Sequence, residues 1–573
     1  MIIGQPDAEP GSTDTSAAVL DGPRARRPAG SRPLLRLRWS LLVALAGGLL
    51  LAVAFAPVGV WPLAVVSPAL LVVALAGRSL RAAFAVGLAF GLTFFFPLLA
   101  WVVNLAWFAW VALAIASALI FAVFAVAQRL LLNLRWWPLA VAGWWVAAEA
   151  FRDRWPWGGF PWGRLAMSQA GLPTQGWAAI GGPPLLSFVV ALTGAMLAWV
   201  LLSALSGASA GRYGAARDRA AQHGAARYTA GRWRPTVIAA LAFAATAGVS
   251  CLPAALPLDP VPAGARTAEI AAIQGNVPRA RSLVAQVDEV QVTLNHATAT
   301  EKLAAKVAAG TLPRPDLVIW PENSTSIDPT QDPSIYNEIS TAAAAIDRPV
   351  LVGAVLQDPM RNAALLWLPG KGPTTTYLKR RLVPFGEFLP FRDLISKVTS
   401  LTALLPQDMV PGHQTVLFDV GQIRLGSVIC YEVAFDDLAR SEVAAGANVL
   451  TVQSNDATFE REGPIGAESG QQLAMAQIRA VEFDRTVVYD STTGYSAVVM
   501  PDGQVTQRTG LWTQAEIEAR VPLLTYQTLA ERAGAWPEWA IVAATALALG
   551  LAVAQAVVSR VRAGSGTQGP AAS

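Results

Sequence analysis

The chain has 573 residues, of which 54% are hydrophobic, and it carries a formal net charge of +4 at pH 7. A chain this apolar does not fold as one soluble globule, and a chain this long exceeds one domain, so the composition indicates a membrane protein. The modest charge, with arginines between apolar runs, argues against a nucleic-acid partner, and two cysteines exclude a disulfide framework.

Eight apolar segments, most of them close to the length that crosses a bilayer, predict about eight transmembrane helices. The eighth lies within 536–559, and seven lie within the membrane domain 39–258, near 40–56, 62–77, 83–101, 103–127, 137–151, 183–206 and 236–256. The polar residues 1–38 are expected to form a disordered cytoplasmic tail. Residues 560–573 are expected to form a second cytoplasmic tail.

Arginine clusters give the orientation of these helices, because Lys and Arg in short loops stay on the cytoplasmic side. With the N-terminus inside, the segment "FRDRWPWGGFPWGR" at 151–164 is the exception that lies outside with three arginines, so these are expected to have local partners. The tryptophans of this segment, Trp155, Trp157 and Trp162, fit an interfacial aromatic belt. The same count places residues 259–535 outside the cytoplasm.

Residues 259–535 differ in character from the rest of the chain. Short runs rich in Val, Ile and Leu alternate with Ala-rich helical stretches, which predicts an α/β domain. Three of these runs lead into residues that chemistry can use: Glu322 in "VIWPENS", Lys379 in "TTTYLKRR" and Cys430 in "SVICYEV". Taken singly, each has a plainer interpretation, as a solvated loop carboxylate, a surface charge and a core thiol.

Together and in this order, the three residues and their neighbours resemble the nitrilase superfamily. The membrane segments add a resemblance to its apolipoprotein N-acyltransferase branch, and the similarity covers roughly residues 40–560. The motifs that carry it are "IQGNVP" at 273–278, "WPENS" at 320–324, "YLKRRLVPFGEFLPF" at 377–391, "ICYEVAF" at 429–435 and "SNDATF" at 454–459. The resemblance implies an αββα sandwich inserted in a bundle of about eight transmembrane helices.

The resemblance also implies roles for particular residues. Cys430 would be the nucleophile, Glu322 its base, and Lys379 the cation that favours the thiolate and faces the oxyanion. Glu387 would support Lys379, while Tyr431 and Glu432 would line the access to the sulfur; bracing a loop is an equal alternative for Glu387. Residues expected to brace the site are Asn323, Asn362, Ser454, Asn455 and Arg479.

Three positions depart from the family pattern. The stretch "RARSLVAQVDEV" lacks a common tryptophan, Thr458 stands where tryptophan is common, and Gln472 stands where histidine is common. Neither Thr458 nor Gln472 is expected to touch the triad. Residues 390–406 place apolar side chains near helical spacing, which fits either an interfacial arm or a helix packed on the sandwich.

The implied reaction transfers an acyl chain from a membrane phospholipid through a Cys430 thioester to the α-amine of a diacylated apolipoprotein. The expected location is a bacterial cytoplasmic membrane, with the catalytic domain outside and the protein a monomer. No cofactor or metal is expected, because His223, His296 and His413 lack ligand spacing. A membrane-tethered amidase with the same triad is the alternative enzyme, and a transporter or scaffold is the alternative without chemistry.

Overall fold

The computed structural model describes residues 33–217, 234–255, 261–278, 288–395, 397, 407–460 and 467–565. Residues 1–32 of the first predicted tail and residues 566–573 of the second lie outside the described residues. The same holds for most of the predicted arm at 390–406 and for residues 279–287 of the departing stretch.

A helix lies at each of the eight predicted apolar segments. These helices are α1 (Leu37–Val53), α2 (Leu63–Leu75), α3 (Leu80–Leu98), α4 (Trp107–Leu131), α5 (Trp137–Arg152), α6 (Trp177–Arg217), α7 (Arg234–Ser250) and, near the C-terminus, α14 (Trp536–Ser565). In the part of the chain that the structure describes, four helical stretches are long and apolar enough to cross a membrane: α3, α4, Trp177–Ser206 of α6 and Trp536–Val561 of α14. Three others, Leu37–Val53, Leu63–Leu75 and Pro235–Ser250, are apolar but shorter.

Helix α6 is interrupted near its start. Gly182 has a φ of +71°, which favours glycine, and Pro183 and Pro184 follow it directly. At the break the backbone of Gly182 lies so close to Glu482 that a Cβ there would stand 3.2 Å from a carboxylate oxygen. The interruption therefore brings the start of a membrane helix against the catalytic domain.

Within its described residues, the α/β domain contains two six-stranded sheets. The chain builds the first from β1 (Thr267–Gln274), β2 (Leu317–Ile319), β3 (Val350–Leu356), β4 (Arg361–Leu368) and β5 (Gly372–Leu378), with α8 (Glu289–Ala308) and α9 (Pro333–Ile346) between strands. After α10 (Arg392–Ile395) come β6 (Leu417–Val420), β7 (Ile423–Ile429), α11 (Asp436–Ala444), β8 (Val449–Ser454), α12 (Ala467–Phe483), β9 (Val487–Ser491), β10 (Ala497–Val499) and β11 (Val505–Arg508). The last strand, β12 (Ala515–Pro522), returns to the first sheet and precedes α13 (Leu529–Ala533).

The two sheets have the same plan. Their orders are β12-β1-β2-β3-β4-β5 and β11-β10-β9-β8-β7-β6. In each sheet three neighbouring strands are parallel, β1 to β3 in one and β7 to β9 in the other, and antiparallel strands flank them. The parallel strands are buried and apolar, as is typical of strands covered on both faces.

Packing of the layers confirms the predicted αββα sandwich. Side chains such as Ile319 of the first sheet and Leu425 of the second share one core between the sheets. Helices α8 and α9 cover the outer face of the first sheet, where Leu303 and Ile339 are buried. Helices α11 and α12 cover the second sheet and share a continuous core with the membrane helices, so the second sheet faces the bundle.

Candidate active site

The three predicted catalytic residues follow strands that end at one side of the sandwich. Lys379 comes directly after β5, Cys430 comes directly after β7, and Glu322 lies three residues past β2. Gly353 of β3 lets the Glu322 turn approach, because a Cβ there would stand 2.1 Å from the carbonyl oxygen of Pro321. Rigid strand ends therefore hold groups that come from both sheets.

Lys379 forms the centre of a buried ionic cluster. Its Nζ donates hydrogen bonds to Oε1 of Glu322 and to Oε1 of Glu387, both at 2.8 Å. The amide of Asn362 donates to the same two oxygens, at 2.6 Å to Glu322 and 2.9 Å to Glu387. The second oxygen of Glu322 accepts from the backbone N–H of Asn455 at 2.9 Å. The cation is thus shared by two carboxylates, and Asn362 holds both in place.

Burial and charge set the protonation of this cluster. Burial raises the pKa of Glu322, Lys379 opposes that effect, and the charge of Glu387 adds to it. For Lys379, burial alone lowers the pKa, but Glu322 and Glu387 together outweigh it and hold the pKa well above its usual value. Lys379 therefore stays charged, while Glu322 is a stronger base than a solvated glutamate.

Glu387 contacts both the lysine and its own loop. Besides Lys379 and Asn362, it accepts a hydrogen bond from the backbone N–H of Val383 at 2.7 Å. These contacts fit both roles that the sequence left open for Glu387, support of Lys379 and bracing of a loop.

Cys430 occupies a sharp turn. Its φ is +51°, unusual for a residue other than glycine, and it begins a 3₁₀ helix over Cys430–Ala434. The sulfur is buried, and burial followed by the charge of Glu322 raises the pKa of the thiol well above its usual value, although Lys379 acts in the opposite direction. The resting group is therefore a thiol, which needs a base before it can attack.

Gln472 corrects one expectation from the sequence. Its Nε2 lies 3.5 Å from Cys430 Sγ, so this residue of α12 does touch the triad. The same nitrogen donates to Glu468. The hydroxyl groups of Ser454 and Tyr489 each donate to the carbonyl oxygen of Gln472 at 3.3 Å. These contacts orient the amide with its N–H groups toward the sulfur.

Glu432 also differs from expectation, because it is buried and does not line the access to the sulfur. Its carboxylate accepts hydrogen bonds from the backbone N–H groups of Ile429, Arg380 and Arg381 and from the hydroxyl of Tyr377. It therefore ties the turn that carries Cys430 to the turn that follows Lys379.

A cavity lies next to Tyr431, the residue that follows Cys430. Its volume is about 370 Å³, and it is lined by Tyr431 and Phe435, by Arg380 and Arg381, and by Trp157 to Gly159 of the membrane part. The hydroxyl of Tyr431 donates to the carbonyl oxygen of Gly159 at 2.8 Å. The cavity lies between the α/β domain and the loop that precedes α6.

Comparisons with known proteins agree with this architecture. Residues 47–196 match the apolipoprotein N-acyltransferase N-terminal domain, and residues 263–531 match the carbon-nitrogen hydrolase family. An apolipoprotein N-acyltransferase of Mycolicibacterium smegmatis is 37% identical over 86% of this chain and 82% of its own. The chain belongs to the apolipoprotein N-acyltransferase family. A family member from Azotobacter vinelandii is 31% identical over 87% of this chain and 92% of its own.

Among solved structures, an amidase from Nesterenkonia sp. matches with 20% identity over 46% of this chain and 92% of its own, at a TM-score of 0.33.

The arginines of segment 151–164 have the local partners that their position predicts. Arg154 pairs with Glu538 of α14 at 2.6 Å, and Arg152 lies over the ring of Phe95. Arg164 pairs with Asp436, at the start of α11, at 2.8 Å.

Arg479 of α12 extends this network toward the nucleophile. It pairs with Asp436 at 2.7 Å and donates to the carbonyl oxygens of Val433 and Ala434, at the end of the 3₁₀ helix that begins at Cys430. Arg479, one of the predicted bracing residues, therefore contacts the turn that begins at Cys430.

The predicted aromatic belt is only partly present. Trp155 and Trp157 are exposed, but Trp162 is buried and stacks on Tyr431, with ring centroids 6.1 Å apart. Its Nε1 donates to Gln471 of α12 at 2.6 Å. Trp162 therefore joins the membrane part to the wall of the site instead of facing the lipid interface.

Proposed function

We propose that this protein is a membrane acyltransferase that N-acylates lipoproteins through a thioester on Cys430. Membership of the family supports lipoprotein N-acylation, and the apolar helices support a bacterial membrane location. The observation that carries the chemistry is the convergence of the buried Lys379, its two carboxylates and the thiol at one side of the sandwich. The proposed roles are nucleophile for Cys430, base for Glu322 and oxyanion stabiliser for Lys379.

In the first half-reaction, Glu322 takes the proton of the thiol while the sulfur attacks an ester carbonyl of a phospholipid. A carbon–sulfur bond forms, and the oxyanion is stabilised by the ammonium of Lys379. The ester carbon–oxygen bond then breaks, and Glu322 returns the proton to the departing oxygen. The products are the acyl-enzyme and a lysophospholipid.

In the second half-reaction, the α-amine of a diacylglyceryl-cysteine attacks the thioester. A carbon–nitrogen bond forms, the carbon–sulfur bond breaks, and the proton lost by the amine passes through Glu322 to the sulfur. The acyl-enzyme divides a difficult transfer into two easier steps, and it predicts ping-pong kinetics.

The surrounding apolar helices bring the site to substrates that stay in the bilayer. A donor that stays in the bilayer reaches only a site that is attached to the bilayer, and Tyr431 beside the nucleophile bonds directly to the membrane part. We place the catalytic domain on the extracytoplasmic side, following the arginine distribution, and expect the protein to act as a monomer.

The test is intact-mass measurement of the purified protein after incubation with phospholipid in detergent micelles. The wild type is expected to gain the mass of one fatty acyl group, and adding a synthetic diacylated lipopeptide is expected to remove it. Cys430→Ala is expected to gain no mass.

The chain supplies a matched control for this experiment, because its other cysteine, Cys251, is exposed and free. Cys251→Ala should form and discharge the adduct like the wild type. An adduct that survives Cys430→Ala would overturn the assignment of the nucleophile. Cleavage of soluble amides without any lipid adduct would instead favour the amidase alternative.

A further inference from the structure

The cavity beside Tyr431 has an uneven distribution of charge. Arg380, Arg381 and Asp408 are its charged lining residues among those described. Arg380 is bound to the buried Glu442 at 2.8 Å, and Asp408 is bound by Arg392. Both of these charges are already neutralised by their own neighbours.

Arg381 is paired in a different way. Its guanidinium reaches Asp437 at 3.3 Å, and the two side chains are 41% and 59% exposed. Exposed ion pairs of this kind contribute little and exchange with other ions readily. Among the described lining residues, Arg381 is therefore the cation that an incoming anion can bind most easily.

Exposed aromatic side chains cluster at one side of the cavity. Trp157 lines it, and its ring lies 6.0 Å from those of Phe385 and of Phe391. All three side chains are exposed. Aromatic residues that remain exposed on a membrane protein concentrate at the level of the lipid headgroups. An anion held by Arg381 would then lie at the depth of lipid phosphates.

We propose that Arg381 binds the phosphate of the acyl donor in this cavity, and that Asp437 competes with that phosphate. This subsite rests on the proposed function, in which the donor is a phospholipid. The diacylated acceptor carries no phosphate, so the subsite serves the formation of the acyl-enzyme and not its discharge. Arginine suits the task because its planar fork matches phosphate oxygens.

The experiment compares two acyl donors in the same micelles. One is phosphatidylglycerol, and the other is a p-nitrophenyl ester of the same fatty acid, which lacks a phosphate. Single-turnover acylation is measured with the wild type, Arg381→Gln, Asp437→Asn and the control Arg520→Gln. Arg520 is an exposed residue of β12 that pairs with Glu269 and lies outside the cavity lining.

Arg381→Gln is expected to react about tenfold more slowly with subsaturating phosphatidylglycerol and at the wild-type rate with the p-nitrophenyl ester. Asp437→Asn is expected to lower the half-saturating concentration of the phospholipid, because the competing carboxylate is gone. If the ion pair were merely structural, Asp437→Asn would instead raise the half-saturating concentration of the phospholipid. Discharge of the preformed acyl-enzyme by a lipopeptide should be unchanged in both variants.

Two results would overturn the subsite: equal loss with both donors in Arg381→Gln, or no loss with either. A different result would refute the proposed function itself. If the wild type is acylated by the ester but never by the phospholipid, the phospholipid donor is refuted, and the subsite is refuted with it.

Discussion

Replacing Glu322 by glutamine tests which group accepts the proton of the thiol. In the structure its two oxygens accept three hydrogen bonds, from Lys379, Asn362 and the backbone of Asn455. Glutamine has nearly the same shape but one oxygen only, so one of these donors must face an N–H group. An unsatisfied buried donor costs about 1–3 kcal/mol, so the variant should still fold with a lowered melting temperature.

The chemical loss should be larger than the structural one. General-base catalysis typically contributes a factor of about 10²–10⁴, so single-turnover acylation of Glu322→Gln should slow by about 10³. Burial raises the pKa of Glu322, so in the wild type acylation should decline on the acid side, at a pH above the ordinary range of a glutamate. That acid limb should vanish in the variant, because the titrating base has been removed.

Glu387→Gln is the matched control. Glu387 also accepts from Lys379 and Asn362 and from one backbone N–H, so the same change creates a similar structural defect. Its acylation rate should fall, but the acid limb should remain, because Glu322 still titrates. A limb that persists in Glu322→Gln, or disappears only in Glu387→Gln, would refute the assignment of the base.

Three further substitutions test other parts of the structure. Burial lowers the pKa of His296 from 6.5 to about 4, so the unfolded chain takes up a proton that the folded chain does not as the pH falls below 6.5. Between neutral pH and about pH 4.5, the free energy of unfolding of the wild type should therefore fall by about 2 kcal/mol more than that of His296→Leu. Melting temperatures that fall equally with pH in the two proteins would contradict this. Gln472→Met removes a hydrogen-bond donor from Cys430 Sγ and should slow acylation about tenfold. The control Gln477→Met, on the same helix, should not slow it. Equal acylation rates in the two variants would exclude a role for the contact. Asp436→Asn leaves two buried arginines without this carboxylate and should destabilise the protein by about 3 kcal/mol, measured by thermal unfolding in detergent, and an unchanged melting temperature would show that the pairing is dispensable.

The sequence predicted the layers of the fold because their signals are local. Apolar segments of membrane length and short runs of Val, Ile and Leu each mark one element, the alternation of elements predicts an α/β domain, and the family resemblance implies the sandwich. The contact between Lys379 and Glu322 was also predictable, since both residues follow strands and match family motifs.

Contacts between distant segments were not predictable in this way. Gln472 lies 42 residues from Cys430, on a different element, and no local pattern links an amide in a helix to a sulfur after a strand. Trp162 stands near the end of a membrane segment, where composition does not distinguish a ring facing lipid from one buried against Tyr431. Glu432 was misplaced because its four hydrogen-bond donors come from two strands of different sheets and from the turn that follows one of them.

The accepting capacity of Glu322 bears on whether the acyl group passes to an amine or to water. A carboxylate offers about four acceptor positions. Among the described residues, Lys379 and Asn362 use two on one oxygen, and the N–H of Asn455 uses one on the other. The position that these residues leave can serve one proton donor at a time. On the proposed mechanism the thiol uses it first, and after the lysophospholipid leaves, the amine and water compete for it. Transfer then depends on keeping the amine close, which a lipid-anchored acceptor achieves by remaining in the same bilayer as the site.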